Sequence, residues 1–143
     1  MRIHTASETI SVLREFEEQA AAFYEDLARR YSENKDLWLS YAKENRKYFT
    51  QIQRVYYSVI TDAIEGCFAF DLETDDYKLD TKLPENTNYS EALDKVVKME
   101  EKMFHFYTTA AEQSMSLMAD VPRNMKIVAR KRNERIEKLK SLG

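Results

Sequence analysis

Two glutamates stand at positions where the sequence pattern predicts buried apolar residues. Glu17 and Glu100 each interrupt a row of apolar and aromatic residues that has the three-four spacing of a core-facing helix. Each is followed seven residues later by a tyrosine, Tyr24 or Tyr107. Two carboxylates in one interior can hold metal ions, share a proton or bind cationic side chains, because uncompensated buried charge is costly. Which of these chemistries occurs depends on the side chains that the surrounding helices place beside the two glutamates.

Both glutamates belong to an internal repeat. Segments 7–28 and 90–111 are offset by 83 residues and carry the same residue at seven positions. The identical pairs are Ser7/Ser90, Glu8/Glu91, Glu17/Glu100, Glu18/Glu101, Phe23/Phe106, Tyr24/Tyr107 and Ala28/Ala111. Self-similarity of this kind predicts two helical hairpins related by duplication. The two carboxylates are then expected to face the same interior.

Composition restricts the class of protein. The 143 residues include only two Gly and two Pro, and a third of them are charged, which predicts a single all-α domain. A single cysteine, Cys67, excludes an internal disulfide, and the N-terminal residues do not resemble a signal peptide. No apolar run approaches the roughly 20 residues that cross a bilayer. We therefore expect a soluble, cytoplasmic protein.

Apolar periodicity and helix-end signals define four helices. The predicted helices cover about 6–31, 35–65, 90–118 and 121–142. A capping box at Thr5–Glu8 starts the first helix, and Gly66 suits the end of the second. The connector 67–89 is longer than most bundle connections, and it includes a possible short strand at Cys67–Leu72. Its length predicts a crossover that returns along the bundle between two hairpins.

Two hairpins with Glu-x6-Tyr on the first and third helices resemble the ferritin and rubrerythrin superfamily of four-helix bundles. In that family these helices each give one Glu, the other two each give Glu-x-x-His, and the six side chains hold two iron or manganese ions. The resemblance gives Glu17 and Glu100 the places of the first pair. At the other four places the chain has Asn45 and Tyr48 on the second helix and Arg132 and Arg135 on the fourth.

This replacement predicts a change of chemistry. Arg132 and Arg135 lie one helical turn apart on the core-facing row, and a guanidinium can hold a carboxylate through two parallel hydrogen bonds. Our hypothesis is a buried cluster of Glu17, Glu100 and the two arginines in which two charges of each sign stand where the metals would be. The side chains expected to satisfy the remaining donors and acceptors are Tyr24, Asn45, Tyr48 and Tyr107. We expect a binding or structural role with no catalytic residues and no cofactor.

Three alternatives remain open at this point. The arginines can instead extend along the helix surface to reach water, as long cationic side chains often do. A second alternative is an iron or manganese oxidoreductase or metal-storage protein with an unusual site. Its ligands would be Glu17 and Glu100, with Glu44, Glu134 or His105 as further candidates.

The third alternative concerns partners. Residues 121–143 hold eight Lys or Arg against two Glu, so a nucleic acid or another anionic partner could bind the fourth helix. The outward-facing cations are Arg123, Lys126, Arg130, Lys131, Lys138 and Lys140. In addition, the segment 55–60 of the second helix is apolar or aromatic on nearly every face, which predicts a homodimer through this end of the helix.

Overall fold

Four long helices form most of the structure, a computed structural model that describes residues 1–59, 70–114 and 120–142. They are α1 (Ala6–Arg30), α2 (Lys35–Val59), α3 (Tyr89–Ser114) and α4 (Asp120–Leu142). The prediction of an all-α chain with four helices is confirmed. The predicted extensions over 60–65 and 115–118, the cap at Gly66 and Cys67 lie outside the described residues. No helix within the described ranges is long and apolar enough to cross a membrane.

The start of α1 follows the predicted capping box. The Thr5 hydroxyl accepts a hydrogen bond from the Glu8 backbone N–H at 3.2 Å, and the Glu8 carboxylate accepts one from the Thr5 N–H at 3.0 Å. Two N–H groups that lack a partner within the helix are thereby satisfied. After α1, Asn34 adopts a left-handed conformation, with φ 60°, immediately before α2. Asparagine tolerates this conformation better than most residues, so the chain can turn sharply there.

The helices pack in pairs, α1 against α2 and α3 against α4, and further contacts of α2 with α4 and of α1 with α3 join the pairs. The core-facing rows predicted for α1, α3 and α4 are buried over most of their length. On α2 the three-four spacing predicts a core-facing row of Trp38, Tyr41, Asn45, Tyr48, Ile52, Val55 and Val59. This prediction fails near the C-terminus, because Tyr56 is buried whereas Val55 and Val59 are half-buried.

A two-stranded antiparallel sheet joins the start of the chain to the segment that follows the first helix pair. Strand β1 (Arg2–Ile3) pairs with β2 (Leu72–Glu73), and a short 3-10 helix at Thr74–Tyr77 follows. The predicted strand at Cys67–Leu72 shares only Leu72 with β2, and residues 67–69 lie outside the described part of the chain. The pairing partner β1 was not predicted, because two residues are too short to show an alternating pattern.

The chain between α2 and α3 contacts both ends of α1. Near the start of α1, the backbone N–H of Phe70 donates to the His4 carbonyl at 3.1 Å. Near its end, the Arg30 guanidinium donates to the backbone carbonyls of Leu83 and Pro84. The described residues 70–88 therefore extend along the length of α1.

Candidate functional site

The structure brings the four predicted charged residues together in the bundle interior. Glu17 of α1, Glu100 of α3, and Arg132 and Arg135 of α4 are each at most 4% exposed. They replace apolar residues on the core-facing rows, so the packing of α1, α3 and α4 that buries these rows also buries the charges. The alternative in which the arginines reach the surface does not describe this structure.

Arg132 bridges the two glutamates. Its Nη1 donates to Glu100 Oε2 at 2.5 Å, and its Nη2 donates to Glu17 Oε1. A guanidinium can hold one carboxylate through two parallel bonds, but Arg132 instead donates one bond to each glutamate. Because the carboxylates come from two different helices, one guanidinium between them reaches one oxygen of each. Arg132 thus ties both halves of the bundle together through charge-assisted hydrogen bonds.

Arg135 connects the cluster to α2. Its Nη1 donates to Glu100 Oε1 at 3.1 Å and to Asn45 Oδ1 at 2.7 Å. Its Nη2 donates to Glu44 Oε1 at 3.1 Å and makes a longer contact of 3.4 Å with the Tyr48 hydroxyl. The Glu44 side chain is 44% exposed, so Arg135 extends from the buried carboxylate to the edge of the bundle. Glu44 is therefore a third carboxylate in a cluster for which the sequence predicted two carboxylates and two arginines.

Tyrosine rings surround both guanidinium groups. The carbon at the centre of the Arg135 guanidinium lies 4.1 Å from the Tyr41 ring centre, and that of Arg132 lies 5.5 Å from Tyr48 and 5.7 Å from Tyr107. Aromatic faces attract cations, and they do so more strongly away from water. Sequence reasoning placed Tyr41 in the core but missed its part in the site. Its position one turn before Asn45, on the same face of α2, was the available signal.

Glu100 is the better compensated carboxylate. Burial acts to raise its pKa, but Arg132 and Arg135 outweigh that effect, so the pKa of Glu100 is lowered from its usual value. Tyr24 also donates its hydroxyl to Glu100 Oε1 at 2.5 Å. Burial, together with the charge of Glu100, raises the pKa of the Tyr24 phenol well above its usual value, so this hydroxyl keeps its proton.

Glu17 has a different environment. Burial raises the pKa of Glu17 to about 7, although Arg132 acts to lower it. Neither its Oε2 nor the Tyr107 hydroxyl has a partner in hydrogen-bonding geometry, although Tyr107 is near enough to act to lower the pKa of Glu17. Within the described residues, the buried side-chain atoms without a hydrogen bond are Glu17 Oε2, Asn45 Nδ2, Tyr107 Oη and Arg132 Nε. Three of these four atoms belong to Glu17, Tyr107 and Arg132, so most of the unsatisfied polar atoms lie around Glu17.

The further metal-ligand candidates do not join the two glutamates. Glu134 and His105 are exposed on the outer faces of their helices, and Glu44 binds Arg135. In the ranges that the structure describes, no group of three or more His, Cys, Asp and Glu side chains converges on a common point.

The arrangement does not fit a pair of iron or manganese ions. One oxygen of Glu17 and both oxygens of Glu100 accept hydrogen bonds from other side chains, and the guanidinium of Arg132 lies between the two carboxylates. Such metals require electron-pair donors, whereas a guanidinium supplies only N–H donors and a positive charge. The cluster is suited instead to holding four helices in one register and to presenting a fixed cation near the surface. Comparisons with protein-family models, with curated proteins and with solved structures found no match for this chain.

Proposed function

We propose that this chain is a non-catalytic ferritin-like bundle in which a buried Glu/Arg cluster stands in place of a di-metal site, and that it has a binding or structural role. The observation that carries the proposal is the bridge from Arg132 to Glu17 and Glu100, with all three side chains at most 1% exposed. The guanidinium supplies the positive charge that two facing carboxylates need, which is the part that metal ions play in that family.

The order of contacts along the helices supports the ferritin-like part of the proposal. Phe16 packs on Phe106 and Tyr24 bonds to Glu100, so positions that rise along α1 meet positions that fall along α3. If α1 is antiparallel to both α2 and α3, then α2 and α3 run parallel. A connection between parallel neighbours must return along the bundle, and the contacts of residues 70–88 with both ends of α1 agree with this course.

A metal-loading experiment tests the proposal. The purified chain is loaded anaerobically with Fe(II), Mn(II) and Zn(II), desalted, and its metal content per chain is measured by elemental analysis. We expect no retained metal, because Arg132 already occupies the carboxylates and its charge repels cations. About two metals per chain, lost in Glu17→Ala, would overturn the proposal and establish the di-metal alternative. Glu15→Ala, which removes an exposed glutamate of α1 that is not among the candidate ligands, is the matched control.

The homodimer and nucleic-acid proposals concern other surfaces. On the second half of α2, Tyr57 is 64% exposed, which supports a partner at this end of the helix. On α4, Arg130, Lys131 and Lys138 are exposed, which supports the attraction of an anion. Sedimentation across a range of concentrations tests whether the chain forms a homodimer.

The salt dependence of RNA and DNA binding tests the nucleic-acid proposal, and the absence of binding at low salt would remove that proposal.

A further inference from the structure

A groove of about 350 Å³ between α2 and α4 leads from the surface to the core cluster. Its lining includes Arg135, Glu44, Lys131 and Lys138. We propose that this groove binds a small anion that carries a carboxylate or a phosphate group. The proposal deepens the binding role proposed above, because it names a class of ligand for the open side of the same cluster.

Arg135 supplies a fixed cation at the inner end of the groove. Its side chain is only 2% exposed, yet it lines the groove and its Nη2 donates to Glu44 and Tyr48, which line the groove as well. Its Nη1 is held from behind by Asn45 and Glu100. A guanidinium fixed in this way loses little freedom when an anion binds, which favours affinity.

Two lysines add positive charge at the mouth of the groove. Lys131 and Lys138 lie four residues before and three residues after Arg135, so all three side chains project from the same face of α4. In the described part of the chain, neither lysine takes part in a salt bridge. The groove lining has three cations and the two carboxylates of Glu44 and Glu134, and Arg135 is also paired with Glu100 in the core, so the two lysines supply the charge that attracts anions.

Glu44 already shows that a carboxylate can bind at this position. Its Oε1 accepts from Arg135 Nη2 at 3.1 Å, while its side chain remains 44% exposed and free to turn into water. Because the Glu44 end of this ion pair is already partly in water, Glu44 can leave Arg135 without losing a fully buried position. A ligand with two or three anionic oxygens can replace Glu44 at Arg135 and also reach Lys131 or Lys138. The chain's own carboxylate thus acts as an internal competitor for the ligand.

Calorimetric titration with inorganic phosphate and with succinate, at low ionic strength, tests this assignment. We expect saturable binding that Glu44→Gln strengthens by up to about fivefold, because the competing carboxylate is removed. Lys131→Gln and Lys138→Gln are each expected to weaken binding by up to about fivefold. Lys140→Gln makes the same charge change at an exposed site of α4 outside the groove, and it is expected to leave the affinity unchanged. The preferred probe shows whether the ligand group is a phosphate or a carboxylate.

The result that would overturn the assignment is the absence of saturable binding of either probe to Glu44→Gln. Weakening by Lys140→Gln equal to that by Lys131→Gln would overturn it as well, because binding would then follow net charge rather than the groove. Binding to Glu44→Gln alone would support it, with Glu44 as a strong competitor. None of these variants alters Glu17, Glu100 or Arg132, so the outcome is separate from that of metal loading.

Discussion

Glu17 and Glu100 hold equivalent places in the two repeats, but their hydrogen bonds differ. Glu100 accepts from Arg132, Arg135 and Tyr24, whereas Glu17 accepts from Arg132 and keeps one buried oxygen without a partner. The pKa of Glu100 is accordingly lowered and that of Glu17 is raised to about 7. The two similar segments thus place a carboxylate in two environments with opposite effects on its pKa.

The difference arises from the two remaining helices of the bundle. Both cations come from α4, whereas the buried polar residues that α2 contributes to the cluster, Asn45 and Tyr48, are neutral. Arg135 turns toward α2 and Glu100, so only Arg132 serves Glu17. The two glutamates therefore share the cations unequally, because a guanidinium can donate only to acceptors within about 3 Å of its nitrogen atoms.

The largest expected effect comes from removing the bridge that serves both repeats. Arg132→Leu should lower the free energy of unfolding by about 3–5 kcal/mol, because it leaves two buried carboxylates without their shared partner. Urea unfolding monitored by circular dichroism measures this loss. The control is Arg130→Leu, which removes an exposed arginine from the same helix and should change stability by no more than about 0.5 kcal/mol. Equal losses in the two variants would show that the buried bridge is absent in solution.

The second prediction distinguishes Glu17 from Glu100 by the pH dependence of the free energy of unfolding. Because the pKa of Glu17 is about 7 in the folded chain and ordinary in the unfolded chain, the folded state binds the extra proton between about pH 4.5 and 7. Stability should therefore fall by roughly 2–3 kcal/mol as the pH rises from 5 to 8. The lowered pKa of Glu100 acts in the opposite direction and at lower pH, since its contribution is lost only on acidification below the unfolded value.

Unfolding at pH 5 and pH 8 of the wild-type chain and of Glu17→Gln measures this effect. The variant cannot take up or release the proton, so its stability should be nearly level over the interval while other titrating groups change equally in both proteins. Parallel curves for the two proteins would mean that Glu17 is ionised throughout and fully compensated by Arg132.

A smaller effect compares the two repeat-related tyrosines. Tyr24 donates to Glu100, and Tyr107 lies beside Glu17 without a hydrogen bond, although both side chains are fully buried. Tyr24→Phe should cost about 1.5–3 kcal/mol, the range for a hydrogen bond to a charged group. Tyr107→Phe should change stability by less than about 0.5 kcal/mol, or increase it, because it removes an unpaired buried hydroxyl. Thermal unfolding of the two variants provides the comparison, and equal losses would mean that Tyr107 bonds to Glu17 in solution.

Local signals in the sequence were sufficient for the helices and for the inward direction of the charges. The capping box at Thr5 and Glu8 acts within four residues, so it can be recognised without knowledge of the fold. Periodicity likewise showed that Glu17 and Arg132 lie on core-facing rows. It failed at Val55 and Tyr56, where burial depends on the neighbouring helices rather than on spacing along α2 alone.

Contacts between distant segments could not be predicted in this way. The pairing of Arg2–Ile3 with Leu72–Glu73 involves strands of two residues, which carry no pattern of their own. The bond between Glu44 and Arg135 joins residues 91 positions apart, and it depends on how α2 and α4 are rotated about their axes. The same rotation brings the ring of Tyr41 against the guanidinium of Arg135.

The sequence by itself determined that four helices form, that two glutamates and two arginines face inward, and that their charges must compensate one another. These conclusions follow from spacing along single helices and from the cost of isolated charge in a core. Only the tertiary structure decided that Arg132 bridges both glutamates, that Arg135 extends to a groove at the surface, and that Glu17 is left with the raised pKa. Hydrogen bonds form or fail within a few tenths of an ångström, and the relative positions of the helices set those distances.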